Sequence, residues 1–124
     1  MKYLRIYTGT DGESYFEDVE LPMKSSTPTF NPSLKDSIKR SEIIKATGVS
    51  FNEYPPGMDW GCHTAPRRQF VICLEGEAEF TSSQGVKRRI SAGDFLLAED
   101  TTGKGHFSKL VGRQKGRTVV VPLE

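Results

Sequence analysis

Cysteine is scarce in this sequence: Cys62 and Cys73 are the only two. They make neither a disulfide framework nor a CxxC metal pair, and read as reduced, structural thiols. Charge of one sign is also missing. Lys and Arg number 17 against 16 Asp and Glu, a formal net charge of +1. That balance excludes an electrostatic case for nucleic acid or an anionic membrane as partner. No apolar run approaches the length that spans a bilayer. The opening stretch MKYLRIYTGTDGE lacks the apolar centre of a signal peptide, so a cytoplasmic setting is expected. Heptads, strand–helix alternation and internal repeats are absent as well. The glycine-bearing stretches GTDGES and TTGKGH are followed by strand-like sequence, so they read as turns and not as phosphate-binding loops. A chain of 124 residues is one domain.

What is present is a succession of short strands. KYLRIYT (2–8) alternates apolar and polar residues, and SYFEDVEL (14–21) follows after Gly12. Residues 22–41 are rich in Pro, Ser and Thr and read as an irregular arm. LKDSIKRSEIIKA (34–46) carries Leu34 and Ile38 four apart, which suggests a short helix. From Gly48 the strands come quickly: GVSFNEY (48–54), QFVICLEGEAEF (69–80), VKRRI (86–90), FLLAE (95–99), HFSKLVG (106–112) and RTVVVPL (117–123). Strands broken by Gly, Pro and Asx turns at this spacing indicate an all-β sandwich or barrel. Residues 1–47 supply N-terminal strands and an arm expected to pack on the barrel. Residues 48–124 supply the barrel core, within a single domain.

The block from Gly57 to His106 resembles a small single-domain cupin, a double-stranded β-helix or jelly-roll barrel. The first motif of that family reads here GMDWGCHTAPRRQFVICLEG: His63 fills the first histidine slot, Ala65 the second, Gln69 the glutamate slot, and Gly76 closes it. The second motif reads GVKRRISAGDFLLAEDTTGKGH, with Gly85, Ser91 in a proline slot, Gly93, Asp94 and finally His106. The pairing of APRRQ with EDTTGKGH is similar to a subgroup of small cupins of unassigned reaction. The resemblance implies a metal site of three histidines and one glutamate inside the barrel. This chain departs from it at Ala65 and Gln69, leaving His63, Gln69 and His106 as ligands. Two imidazoles and an amide oxygen suit Zn, Fe, Ni, Cu or Mn, but without an anionic ligand affinity falls. Both of the chain's histidines nevertheless land in ligand slots. The alternative is a metal-free pocket, in which the imidazoles bond Gln69, each other or a small molecule. No organic cofactor is implied.

Around these residues, Arg67 and Arg68 are candidates to hold a carboxylate or phosphate. Lys104 is placed similarly, two residues before His106. Trp60, Tyr54 and Phe70 are candidate pocket walls, with core or interface as the plainer roles. Cys73 shares strand parity with Gln69 and should face inward, whereas Cys62 should face away from the side His63 occupies. Asp94 is expected to fix a turn, and Glu99 and Asp100 to cap backbone N–H groups. Phe70, Ile72 and Leu74 make an outward apolar stripe that fits a homodimer interface, with the arm crossing to the partner.

Three functions follow. One is a metal-dependent oxygenase, isomerase or lyase acting on a small organic acid or sugar derivative. Another is a binding or sensing module that holds a small molecule without catalysis; the pair Arg67 and Arg68 points to a small, anionic molecule as the ligand. A third is a structural dimer whose pocket is filled by Tyr54, Phe70 and Leu74. Fold alone does not choose among them.

Overall fold

Alternating apolar and polar side chains favour extended backbone with one apolar side, and two such sheets bury those sides against each other. The computed structural model describes residues 1–124. Its strands are β1 (Lys2–Thr8), β2 (Ser14–Glu20), β3 (Lys24–Ser26), β4 (Ile38–Arg40), β5 (Ser50–Tyr54), β6 (Asp59–His63), β7 (Gln69–Glu75), β8 (Glu77–Ser82), β9 (Lys87–Ser91), β10 (Phe95–Glu99), β11 (His106–Leu110) and β12 (Gly116–Pro122). Six form one sheet in the order β2-β1-β10-β7-β12-β5, and four form the other in the order β6-β11-β8-β9. The shared core draws on both: Leu4, Ile6, Cys73, Leu96 and Ala98 from the large sheet meet Phe80 and Ile90 from the small one.

The N-terminal hairpin is built into the large sheet, a closer union than an arm packed on a barrel. β1 pairs parallel with β10, Leu4 opposite Leu96 and Ile6 opposite Ala98. Those four side chains are buried on the inner face. The arm proper is the separate ribbon β3-β4, with residues on either side that leave Phe30 and Ile43 exposed.

Two local expectations are corrected, and one strand is added. The helix over 34–46 does not form. A 3-10 turn at Pro32–Leu34, capped by Asn31, leads instead to β4. Asp36 adopts φ +54°, a left-handed backbone that ends any helix, and exposed Leu34 finds no apolar surface to pack against. The alternation over 69–80 is two strands. At Gly76 the backbone takes φ +85°, and a Cβ there would lie 2.7 Å from the Lys115 carbonyl oxygen. The chain turns this corner from the large sheet into the small one. Residues 59–63, which show no clean alternation, form β6. A bulge opposite Ser108 and Lys109 inserts Trp60, with Gly61 at φ +66°.

The two outer faces differ in chemistry. On the small sheet, Glu79 is approached by Arg89 at 3.1 Å, Lys87 at 3.8 Å and Lys109 at 3.9 Å. On the large sheet, Phe70, Leu97 and Leu123 cluster with Tyr3, Phe95 and Val121. Phe51 and Leu74 stand exposed on the same sheet. No helix of the chain is long and apolar enough to cross a membrane.

Candidate functional site

The space between the sheets is a cavity of about 150 Å³. That volume holds a ligand of roughly benzene size. Period two along β7 puts Gln69, Val71, Cys73 and Glu75 on its wall. Leu96 and Ala98 enter from β10, and His106, Ser108 and Leu110 from β11. The bulge in β6 lets Trp60 and His63, three residues apart, both line the cavity. Ala65 is buried in the wall and offers nothing to a ligand but a methyl group.

His63 and His106 are directly opposed in the β6–β11 ladder, with ring centroids 4.6 Å apart. Gly105 makes that approach possible. Its φ is +72°, and a Cβ on it would fall 2.3 Å from the His63 carbonyl oxygen. Each imidazole is held through Nδ1. His63 Nδ1 lies 3.2 Å from the Gly61 carbonyl oxygen, and His106 Nδ1 lies 2.5 Å from Asp100 Oδ2. A carbonyl oxygen only accepts, so His63 Nδ1 donates. An ionised carboxylate imposes the same on His106. Both neutral rings then present Nε2 lone pairs, and neither Nε2 has a protein partner. The Gln69 amide lines the same cavity without one. Three unpartnered polar groups therefore share one small, mostly apolar space.

Sequence reasoning took Asp100 for a turn cap. It is fully buried, and its only side-chain bond goes to His106. The expected capping role belongs neither to it nor to Glu99. Glu99 takes Arg5 Nε at 2.5 Å and Arg68 Nε at 2.5 Å. Burial works to raise its pKa, but hydrogen bonds from Arg68 and Arg5 prevail and hold it below the usual carboxylate range. A signal for Asp100 was available in the second motif, where its carboxylate precedes His106 by one loop. Asp94 does fix its turn, accepting from the Ser91 N–H at 2.9 Å.

The remaining expected site residues separate. Tyr54 and Trp60 line the cavity, their rings 4.8 Å apart and edge to face, and the Tyr54 hydroxyl lies 3.2 Å from the Thr118 hydroxyl. Arg67, Arg68 and Lys104 are not on its wall. Arg67 is exposed, Arg68 is engaged by Glu99, and Lys104 is paired with Glu13. These positions follow from the bend before β7, which carries both arginines outside the strand that lines the barrel. Phe70 and Leu74 have outward parity, so the self-filled pocket they were to make is not formed. Cys73 lines the cavity, where burial pushes its thiol pKa up, and Cys62 is exposed. No group of three or more His, Cys, Asp or Glu converges. The wall contains no lysine or arginine, and Glu75 is its one carboxylate.

No protein-family model matches the chain, and no curated protein matches it. Solved structures do. A Cupin 2 conserved barrel domain protein from Salinispora arenicola is 22% identical, with TM-score 0.51 and 61% of each chain covered. A conserved protein with a double-stranded β-helix domain from Klebsiella pneumoniae is 26% identical, with TM-score 0.47, over 59% of this chain and 63% of that one. A cupin protein from Bacteroides fragilis is 19% identical, with TM-score 0.45, over 61% of this chain and 64% of that one. The match thus spans less than two thirds of each of these proteins.

Proposed function

We propose that this chain, a small cupin double-stranded β-helix by its fold, binds a small molecule against His63, His106 and Gln69, with a divalent metal as part of the site. The observation that carries the reading is the convergence of three unpartnered polar groups in a cavity of about 150 Å³. Two Nε2 lone pairs cannot bond one another, since neither carries a hydrogen in this tautomer. They require a cation or a donor. Two imidazoles and one amide oxygen suit Zn, Fe, Ni, Cu or Mn with water completing the shell. Such an ion would supply Lewis-acid polarisation of a carbonyl or enolate oxygen. Tyr54 and Trp60 would then bound the ligand's apolar part.

The anionic character of the ligand rests on the metal. With no lysine or arginine on the wall, a carboxylate entering the cavity has no fixed protein cation to meet it. Metal and anion therefore stand together, and an oxygenase, isomerase or lyase is compatible only in that company. The second reading is a metal-free binding or sensing module. The mostly apolar wall favours it, with a neutral ligand whose N–H or O–H donors meet the imidazoles.

Metal content after reconstitution of the untagged protein with each of the five ions decides between them. The metal reading expects one ion per chain and a gain on the order of tenfold in affinity for Gln69→Glu, which restores a charged ligand. No ion bound in any reconstitution overturns it.

The reading includes a homodimer. The ionic outer face of the small sheet suits water, whereas the apolar outer face of the large sheet suits a second copy. Exposed Phe30 and Ile43 on the arm would reach across. Leu74→Asp is expected to convert the dimer to monomer in sedimentation velocity at micromolar concentration. An unchanged dimer would move the contact elsewhere. Two free thiols are compatible with a reducing cytoplasm.

A further inference from the structure

We infer that Asp100 is the positioning residue of this site, fixing the His106 tautomer so that Nε2 faces the cavity and lending that nitrogen the negative charge the ligand positions lack. The inference rests on the site reading above and adds to it a residue that touches neither ligand nor metal.

Asp100 is wholly buried, yet its carboxylate caps no backbone group. Oδ2 meets His106 Nδ1 at 2.5 Å, and Oδ1 has no hydrogen-bond partner. Asp94 shows what a merely structural carboxylate does in the same chain: it sits on a turn and accepts from the Ser91 N–H. A buried carboxylate directed at one N–H costs desolvation that a turn would not repay. What the arrangement gains is electronic. The acceptor holds the proton on Nδ1, excludes the other tautomer, and strengthens Nε2 as a metal ligand through the ring. Ring orientation is fixed as well, with Phe80 packed 5.8 Å from the His106 centroid. Neutral Gln69 occupies the position of an anionic ligand, so the nearest carboxylate partnered to a site imidazole lies one ring removed, at Asp100. His63 has only a neutral carbonyl behind it. The two imidazoles are thus unequal, and His106 is the stronger donor to a metal.

The test uses the full-length protein labelled with 15N and free of metal, at pH 8. Imidazole 15N shifts report which nitrogen carries the proton. Both histidines in the unaltered protein are expected as the Nδ1–H form. In Asp100→Ala, His106 is expected to lose that form while His63 keeps it and serves as the control within the same molecule. A His106 proton on Nε2 in the unaltered protein, or a tautomer unmoved by Asp100→Ala, overturns the inference. The first of these needs no variant to fold. Titration with Zn2+ and Ni2+ follows, using Asp100→Asn to keep the shape and remove the charge. Affinity is expected to fall about 10- to 100-fold, the range seen when such outer partners are removed. A change within twofold overturns the charge-lending role. If the unaltered protein binds neither ion, the metal reading falls, while the tautomer result still decides the positioning role.

Discussion

Replacing His106 by alanine is expected to cost about 3–5 kcal/mol of folding stability, the range for removing one partner of a buried ion pair or its equivalent. The imidazole is the sole partner of a carboxylate with no exposure to solvent. Removing it leaves Asp100 with two unsatisfied oxygens inside the protein, and that desolvation cost adds to the lost packing against Phe80. The double variant Asp100→Ala with His106→Ala removes the stranded charge along with its partner. It is expected to be more stable than His106→Ala alone, an unusual sign for adding a second truncation in a core. Urea denaturation of the four proteins closes the cycle. If His106→Ala loses under 1 kcal/mol, the pair is not the buried unit described.

Gly105→Ala is expected to be nearly as severe, at about 3 kcal/mol. Left-handed backbone costs a residue with a Cβ roughly 1–2 kcal/mol, and overpacking adds roughly 1–3 kcal/mol. The added atom would sit 2.3 Å from the His63 carbonyl oxygen, so β6 and β11 must part. They part at the register position where the imidazoles face each other. On the metal reading proposed above, stability and metal affinity should therefore fall together, whereas Gly85→Ala, which meets only open space, should leave affinity unchanged. Denaturation midpoints and zinc titration on both variants provide the check.

The fold was legible because its strands announce themselves twice, in alternation and in turn chemistry. KYLRIYT is apolar on alternate residues, FLLAE is a short apolar run, and SAGD supplies both a glycine with positive φ and an aspartate that caps the turn. β6 escaped notice because a bulge removes period two where Trp60 and His63 must both look inward. The helix drawn over 34–46 failed for a complementary reason: one apolar pair is a pattern without a surface to bury it. At the site, His63, Gln69, Trp60, Tyr54 and His106 line one cavity; the motif spacing brought the two histidines and Gln69 together in the sequence, and the bulge in β6 adds Trp60 beside His63. The arginines stay outside it, because strand parity says nothing about a bend. Arg68 is claimed by Glu99, a partner 31 positions along the chain that only tertiary structure supplies. Asp100 lies immediately beside Glu99 and continues the inward parity of Leu96 and Ala98; what alternation does not supply is its partner, His106, which the loop after β10 brings back to it.

The parallel pairing of β1 with β10 has a consequence for how the protein is made. During synthesis the first two strands leave the ribosome early and can close on each other as a hairpin, because their partners are neighbours in sequence. A lone two-stranded ribbon is marginal in water. The strand that completes it, β10, is translated only when most of the chain has followed. Until then Leu4 and Ile6 have nowhere to be buried, and one side of β1 offers a row of unmatched N–H and C=O groups to any passing strand. β1 is thus made well before the strand that settles it. Anything that delays β10, from a slow codon to a destabilised β7, lengthens the interval in which nascent chains can pair with one another instead of with themselves.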